Sequence, residues 1–240
     1  MTLPVVYINL ASDTDRRARM EAEFARHAVP GERFEATRWT ALPAAEQAAR
    51  YSPTLNARQF HKPLVNGEKG CYASHLRCWQ WLVDSPHAAL VVLEDDVALK
   101  PEFAAVIAAI EQLAGGWDMV KLIGRDSEKL RRTTPLLPGF SLIDYRRVPS
   151  LTAGYVISRS GAQKLLTSRI PFGRPIDVDL RHWWENALKI QGVVPAAIVL
   201  DETSLHSSIG AKVADSLAVK WRKFRHKAAY SLLNRWHLNP

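Results

Sequence analysis

Short apolar runs alternate with stretches of helical periodicity along the first half of the chain. Val5, Val6, Tyr7 and Ile8 begin a strand over 5–10. A polar turn at 11–14, rich in N-capping residues, leads into a helix over 15–27 with Met20, Phe24 and Ala28 on its inner face. Prolines 43, 53 and 63 divide residues 30–66 into loop with one brief helix at 44–50. Tyr72, Leu76, Trp79 and Val83 then recur at helical spacing and predict a helix over 68–84. Leu90-Val91-Val92-Leu93 follows as a strand buried on both faces. Pro101 opens a helix to about residue 114, and 117–123 reads as the next strand.

Beyond that point extended pieces become more frequent. Residues 125–140 are polar and proline-bearing and are expected to form a loop over a site. Strands are predicted at 141–147 and 152–157, helices at 160–167 and 179–190, and a strand at 193–200. The pattern predicts an α/β fold with a mixed, mostly parallel central sheet flanked by helices. The expected organisation is a domain over 1–210 and a tail over 211–240.

The strand at 90–93 ends in three consecutive acids, Glu94-Asp95-Asp96. Buried carboxylates are costly unless positive charge meets them. In open α/β sheets ligands gather beyond the carboxyl ends of strands. A divalent metal carrying a phosphorylated substrate satisfies both conditions; a strand leaving into a solvated acidic turn is the plain alternative.

Composition changes the picture mainly at the C-terminus. The net charge is +8, but Lys220, Arg222, Lys223, Arg225, Lys227 and Arg235 fall in 217–240 with no acid among them. Removing these six from the 32 basic residues leaves 26 against 24 acids, so the body is near neutral. That argues against a nucleic-acid-binding face spread over the fold. Cys71 and Cys78 lie about 10 Å apart along one helix, out of disulfide reach. No run of eighteen apolar residues occurs, and residues 1–10 lack a signal-peptide pattern. A reduced, cytoplasmic protein is expected.

Five segments in order carry a family resemblance. They are Tyr7-Ile8-Asn9-Leu10 with Asp15-Arg16-Arg17; Gly67-Glu68-Lys69-Gly70-Cys71-Tyr72-Ala73-Ser74-His75; Leu93-Glu94-Asp95-Asp96-Val97; Thr152-Ala153-Gly154-Tyr155-Val156-Ile157-Ser158 with Gly161-Ala162; and Pro175-Ile176-Asp177. Together they resemble glycosyltransferase family 25, the lipooligosaccharide-biosynthesis enzymes that include collagen galactosyltransferase relatives. The resemblance implies a GT-A-like fold and a nucleotide-sugar donor such as UDP-galactose. It also implies Mn²⁺ or Mg²⁺ as cofactor, and inverting transfer of a hexose to a lipooligosaccharide, lipopolysaccharide or other lipid-linked glycan.

By the same resemblance, Asp96 and Glu94 are expected around the metal, with Asp95 toward the ribose or aiding the metal through water; His206, outside the family's segments, is a further candidate ligand because imidazole suits Mn²⁺. Asn9, Arg16, Arg17, Glu68, Ser74 and His75 are expected on the donor. Alternation along a strand sends Glu94 and Asp96 one way and Asp95 the other. Arginine's planar fork suits phosphate, yet Arg16 and Arg17 equally suit a solvated helix face. Ser74 and His75 diverge by about 100° on a helix and make no hydrolase dyad. His75 either meets phosphate or sugar, or ties its helix to the acidic strand. Asp177 is the first choice for the base, with Asp179 and Glu185 behind it; Asp177 also suits a helix N-cap.

Two other classes remain in view. A nucleotidyltransferase of similar architecture lacks its usual glycine-rich basic loop here, and a non-enzymatic nucleic-acid-binding protein conflicts with the acidic strand end. In the tail, Leu217, Trp221, Phe224, Ala228, Leu232 and Trp236 share one helical face, with lysines opposite. Such a helix suits an anionic membrane surface, placing the protein peripherally on the cytoplasmic face, or it docks on the protein's own core.

Overall fold

The computed structural model describes residues 3–124, 128–201 and 216–238. The chain runs β1 (Val5–Asn9), α1 (Thr14–Arg26), β2 (Gly31–Glu35), α2 (Ala44–Arg50), α3 (Pro53–Gln59), α4 (Asn66–Asp84), β3 (Ala89–Glu94), β4 (Val97–Leu99) and α5 (Phe103–Glu111). It continues through β5 (Met119–Lys121), β6 (Leu130–Leu137), β7 (Phe140–Tyr145), β8 (Gly154–Ser158), α6 (Arg159–Ser168), α7 (Ile176–Asp179), β9 (Ile190–Val194), β10 (Ile198–Leu200) and α8 (Leu217–Leu238). Short 3-10 turns occupy Trp39–Ala41 and Trp183–Glu185.

Eight strands form one sheet in the order β2-β1-β3-β8-β5-β9-β7-β6, and β10 pairs with β4 beside it. The α/β class stands, but the sheet is mixed rather than mostly parallel. β1–β2, β1–β3 and β5–β9 run parallel, whereas β3–β8, β5–β8, β6–β7 and β7–β9 run antiparallel. Antiparallel β8 enters the centre between β3 and β5, which apolar pattern alone does not reveal, since a strand buried on both faces reads alike in either direction.

Side-chain alternation divides the core in two. Val6, Ile8, Leu90, Val92, Tyr155 and Ile157 face one layer with Tyr72, Leu76 and Trp79 of α4. Val5, Tyr7, Val91, Leu93 and Val156 face the other, with Met20 and Phe24 of α1 and Phe103, Val106, Ile107 and Ile110 of α5. Leu90 through Leu93 are fully buried, each contributing about 1.5–3 kcal/mol of apolar burial. That burial fixes where Glu94 must emerge.

Several expectations are corrected. β2 lies in the segment assigned to loop and carries Glu32, Arg33 and Glu35; its ladder with β1, not an apolar run, makes it a strand. Residues 130–137 are not loop but β6, hairpinned to β7 through Gly139 at φ 81. Residues 179–190 are not one helix: α7 ends at Asp179, and Ala187 adopts φ 52. The strand expected over 193–200 is two, β9 and β10, in different sheets. Ala28 is exposed at φ 50, and Val29 takes the buried position beside it.

α8 docks on the body through its polar side. Asn234 is buried, donating Nδ2 to the Arg146 carbonyl at 2.9 Å and accepting from Trp183 Nε1 at 3.3 Å. Tyr230 is buried beneath the guanidinium groups of Arg147 and Arg181. Arg222 caps the carbonyls of Ala57 and Phe60, both at 2.9 Å. Leu217, Trp221, Phe224, Leu232 and Trp236 remain exposed. No helix among the described residues is long and apolar enough to cross a membrane.

The seam under α8 contains a pH-sensitive group. His182 packs against Trp184 and Tyr230 and donates Nδ1 to the Val178 carbonyl at 3.0 Å. Burial first, then the Arg174 charge, pulls its pKa from 6.5 down to about 4. The unfolded chain therefore takes up a proton that the fold refuses. His182 should cost the protein stability as pH falls from about 6.5 to about 4. Urea midpoints measured across that window should fall more steeply for the unaltered protein than for His182→Gln; parallel slopes would remove His182 as the cause.

Candidate active site

A cleft of about 350 Å³ opens where β1 and β3 end, between the start of α1, the first half of α4 and residues 36–40. The helix can approach because residue 70 is glycine: a Cβ there would lie 2.6 Å from the Thr37 carbonyl oxygen. Ser74 fastens the same contact, accepting from the Thr37 amide at 2.8 Å and donating to the Gly70 carbonyl at 2.7 Å. Glu68 begins the helix, its carboxylate accepting from the Val65 amide at 2.9 Å.

The three acids separate as strand alternation predicts for the first two. Asp95 turns toward β1 and α1, accepting from Asn9 Nδ2 at 2.7 Å and Arg16 Nη1 at 2.8 Å. Glu94 turns toward α4 and β8, accepting from the Thr152 hydroxyl at 2.7 Å and lying 3.5 Å from His75 Nε2. Burial opposes ionisation of Glu94, but His75, Thr152 and Lys121 outweigh it and hold its pKa below the ordinary range. Asp96 follows in the turn. Burial, then repulsion from Glu94 and Asp95, lifts it to about 6 against the pull of Arg16. Its Oδ1 is buried and unpaired, as is Oδ1 of Asn9.

His75 is fully buried in a polar chain. Its Nδ1 lies 2.7 Å from the Tyr155 hydroxyl, which also accepts from Trp79 Nε1 at 2.9 Å. The ring ties α4 to β8 and lies 3.5 Å from Glu94 at the acidic strand end, as the second of the two roles requires. Cys71, one turn earlier on α4, completes a group with His75 and Glu94 whose donor atoms lie within 4.8 Å of one another.

The three carboxylates considered as base divide sharply. Asp179 is buried against Tyr72 (2.5 Å), Arg174 (2.9 Å) and Arg169 (3.6 Å), while Glu185 pairs with Arg174 at 2.7 Å and with Arg169. Both belong to an ion-pair cluster beneath α7. Asp177 instead interacts with Glu94, Lys121 and Arg181. Burial first, then repulsion from Glu94, raises it to about 6, opposed by the Val178 amide, Lys121 and Arg181.

Asn9, Arg16, Ser74, His75, Glu94, Asp95 and Asp96 line the cleft. Arg17 does not; it is half-exposed and pairs with Glu21 on the outer side of α1 at 2.8 Å. Glu68 stays at the helix cap, outside the lining. His206 lies outside the described residues. Lys121 escaped the sequence reading. It is fully buried in β5 opposite Tyr155, donates to the Pro149 carbonyl at 2.9 Å, and is lowered to about 8 by burial. A lysine inside the apolar run Met119-Val120-Lys121-Leu122-Ile123 was the available signal.

Comparison with known proteins follows the same segments. A family model described as Glycosyltransferase family 25 (LPS biosynthesis protein) matches residues 3–180. Procollagen galactosyltransferase 2 of Homo sapiens is 29% identical over 182 residues, covering 73% of this chain and 29% of that protein. A glycosyltransferase 25 family member of Anopheles gambiae is 31% identical over 191 residues, covering 75% and 31%. Procollagen galactosyltransferase 1 of Danio rerio is 32% identical over 187 residues, covering 73% and 30%. The chain spans about three tenths of the length of the curated relatives it matches.

The Tyr155 hydroxyl is the joint of the buried chain. Tyr155→Phe strands the Trp79 donor and His75 Nδ1 without a partner and is expected to cost about 1–3 kcal/mol in chemical denaturation. An unchanged midpoint would show that the joint carries no stability.

Proposed function

The chain belongs to glycosyltransferase family 25, and on that premise we propose that it moves a hexose, galactose first, from a nucleotide-sugar donor to a lipooligosaccharide or lipopolysaccharide acceptor with inversion. The architecture is read as GT-A-like, with residues 1–210 as the catalytic unit. Family membership favours sugar transfer over the nucleotidyltransferase and nucleic-acid readings. The galactosyltransferase names of the relatives favour galactose, and UDP as its carrier is part of the same proposal. The observation that carries the reading is the strand end itself: Glu94, Asp95 and Asp96 line one cleft, with the carboxyl of Asp96 raised to about 6 by burial and by Glu94 and Asp95.

The residues fit a divalent cation. Asp96 has a buried oxygen without a partner and a carboxyl lifted by its acidic neighbours, both of which a positive ion relieves. Asp96, with Glu94, would hold Mn²⁺ or Mg²⁺ through hard oxygen ligands. When bound, the ion neutralises charge developing on the departing nucleotide diphosphate. Arg16 supplies a guanidinium at the same rim, held by Asp95, and Asn9 fixes Asp95 from β1.

Asp177 is the proposed base. A carboxylate with pKa near 6 is ionised at neutral pH and accepts a proton more readily than an ordinary aspartate. Lys121 and Arg181 keep it from rising further. Asp177→Asn should lower kcat by about 10²–10⁴-fold while donor affinity persists; near-normal turnover would remove Asp177 from the role. The unaltered enzyme should lose kcat/KM about tenfold per pH unit below about pH 6, as Asp177 takes up a proton.

α8 is the proposed contact with an anionic, cytoplasmic-side membrane surface where lipid-linked acceptor resides. Its support is the exposed stripe of Leu217, Trp221, Phe224, Leu232 and Trp236 beside exposed Lys220, Arg225 and Lys227. The docked polar side leaves that stripe outward. The full chain should co-sediment with anionic vesicles, and Trp221→Ser with Trp236→Ser should reduce the bound fraction severalfold. Equal binding by both would defeat the membrane role.

A further inference from the structure

Cys71, His75 and Glu94 converge at the inner wall of the cleft in a way that sugar transfer does not require. Cys71 and His75 are four residues apart on α4 and present sulfur and nitrogen to one side; Glu94 meets them from the end of β3. Their donor atoms lie within 4.8 Å of one another, and His75 Nε2 is 3.5 Å from Glu94 Oε1. Three ligands on a tetrahedral zinc ion stand roughly 3.4–3.6 Å apart. The imidazole–carboxylate pair therefore already has the required span, and the thiol needs an approach of about 1 Å.

An independent observation points to a ligand between them. His75 is 0% exposed, and its Nε2 has no hydrogen-bond partner. The ring's other nitrogen is supported by the Tyr155 hydroxyl, itself held by Trp79. The Tyr155 oxygen has capacity for a proton from Nδ1 as well as from Trp79, so that a cation seated between Nε2 and Glu94, now 3.5 Å apart, can take the Nε2 lone pair in place of their direct contact. Glu94, Asp96 and Asp177 surround the Cys71 thiol with negative charge, a setting that favours a divalent cation.

We propose that Cys71, His75 and Glu94 form a thiolate-containing zinc site, separate in ligand chemistry from the all-oxygen site proposed at Asp96 but sharing Glu94 with it. Zinc accepts sulfur, nitrogen and carboxylate together, whereas Mg²⁺ and Mn²⁺ favour oxygen. Uptake releases the Cys71 proton to solvent and leaves one coordination position open. Because one carboxylate serves both ions, zinc draws Glu94 away from the donor side, and zinc acts as an inhibitor competing with Mn²⁺. Binding is independent of the proposed activity; only the inhibition rests on it.

Cobalt(II) titrated into the intact protein under excess Mg²⁺ reads the site directly. The expected result is one equivalent bound with a sulfur-to-cobalt charge-transfer band that zinc abolishes and Mg²⁺ does not. Cys71→Ser should remove the band, and Cys71→Ser and His75→Gln should each weaken zinc binding by more than about tenfold. Cys78→Ser, at the other thiol, should keep the band. Cobalt binding without that band, a band that survives Cys71→Ser, or no binding at all to the unaltered protein would overturn the site. The unaltered protein decides the matter even if a variant fails to fold. In an assay of nucleotide diphosphate release, zinc inhibition should recede as Mn²⁺ rises. Zinc bound through Cys71 without inhibition would overturn the sharing of Glu94, whereas absence of release with every nucleotide sugar would count against the proposed activity and leave the cobalt result standing.

Discussion

Confining negative charge at the end of a strand with no exposed face is the constraint around which the molecule is organised. Leu90 to Leu93 are fully buried, so Glu94, Asp95 and Asp96 emerge into a crowded corner. Each carboxylate meets a different answer. Asp95 receives a guanidinium and an amide, Glu94 a hydroxyl, an imidazole and the field of a buried lysine. Asp96 is left with an unpaired oxygen and a raised pKa. The order of the sheet meets this need: β1, the approach to β8, and β5 bring Asn9, Thr152 and Lys121 to the same end.

The polar chain on the α4 side has a second effect. Trp79, Tyr155 and His75 thread hydrogen bonds through an otherwise apolar layer. Such a network is satisfied in only one relative position of helix and sheet, so it sets the helix rotation more narrowly than hydrophobic contact does. Cys71 and His75 consequently face Glu94 rather than the solvent.

Legibility in the sequence followed the source of each element's stability. α4 and β3 bury strong apolar patterns and were readable, as was the place of the acids that end β3. β2 and β6 owe their extended form to neighbouring ladders and carry polar sequences, so nothing local marked them. The direction of β8 was equally hidden. Arg16 was separated from Arg17 only by the helix's orientation on the sheet. Asp177 was separated from Asp179 and Glu185 by Arg169 and Arg174, whose pairing depends on tertiary geometry. The tail forms a helix over Leu217–Leu238, and its polar side faces the body through Tyr230 and Asn234, the reverse of the usual arrangement.

The same polarity that concealed β2 and β6 governs how the sheet ends. These two strands are its borders, and unpaired backbone groups there offer a template to any other extended chain. β2 presents Glu32, Arg33 and Glu35, and β6 presents Arg131, Arg132 and Pro135, largely exposed. Charge repels an arriving strand, and proline withholds the amide it would need. A sheet with a core this apolar thereby carries its own protection against edge-to-edge growth.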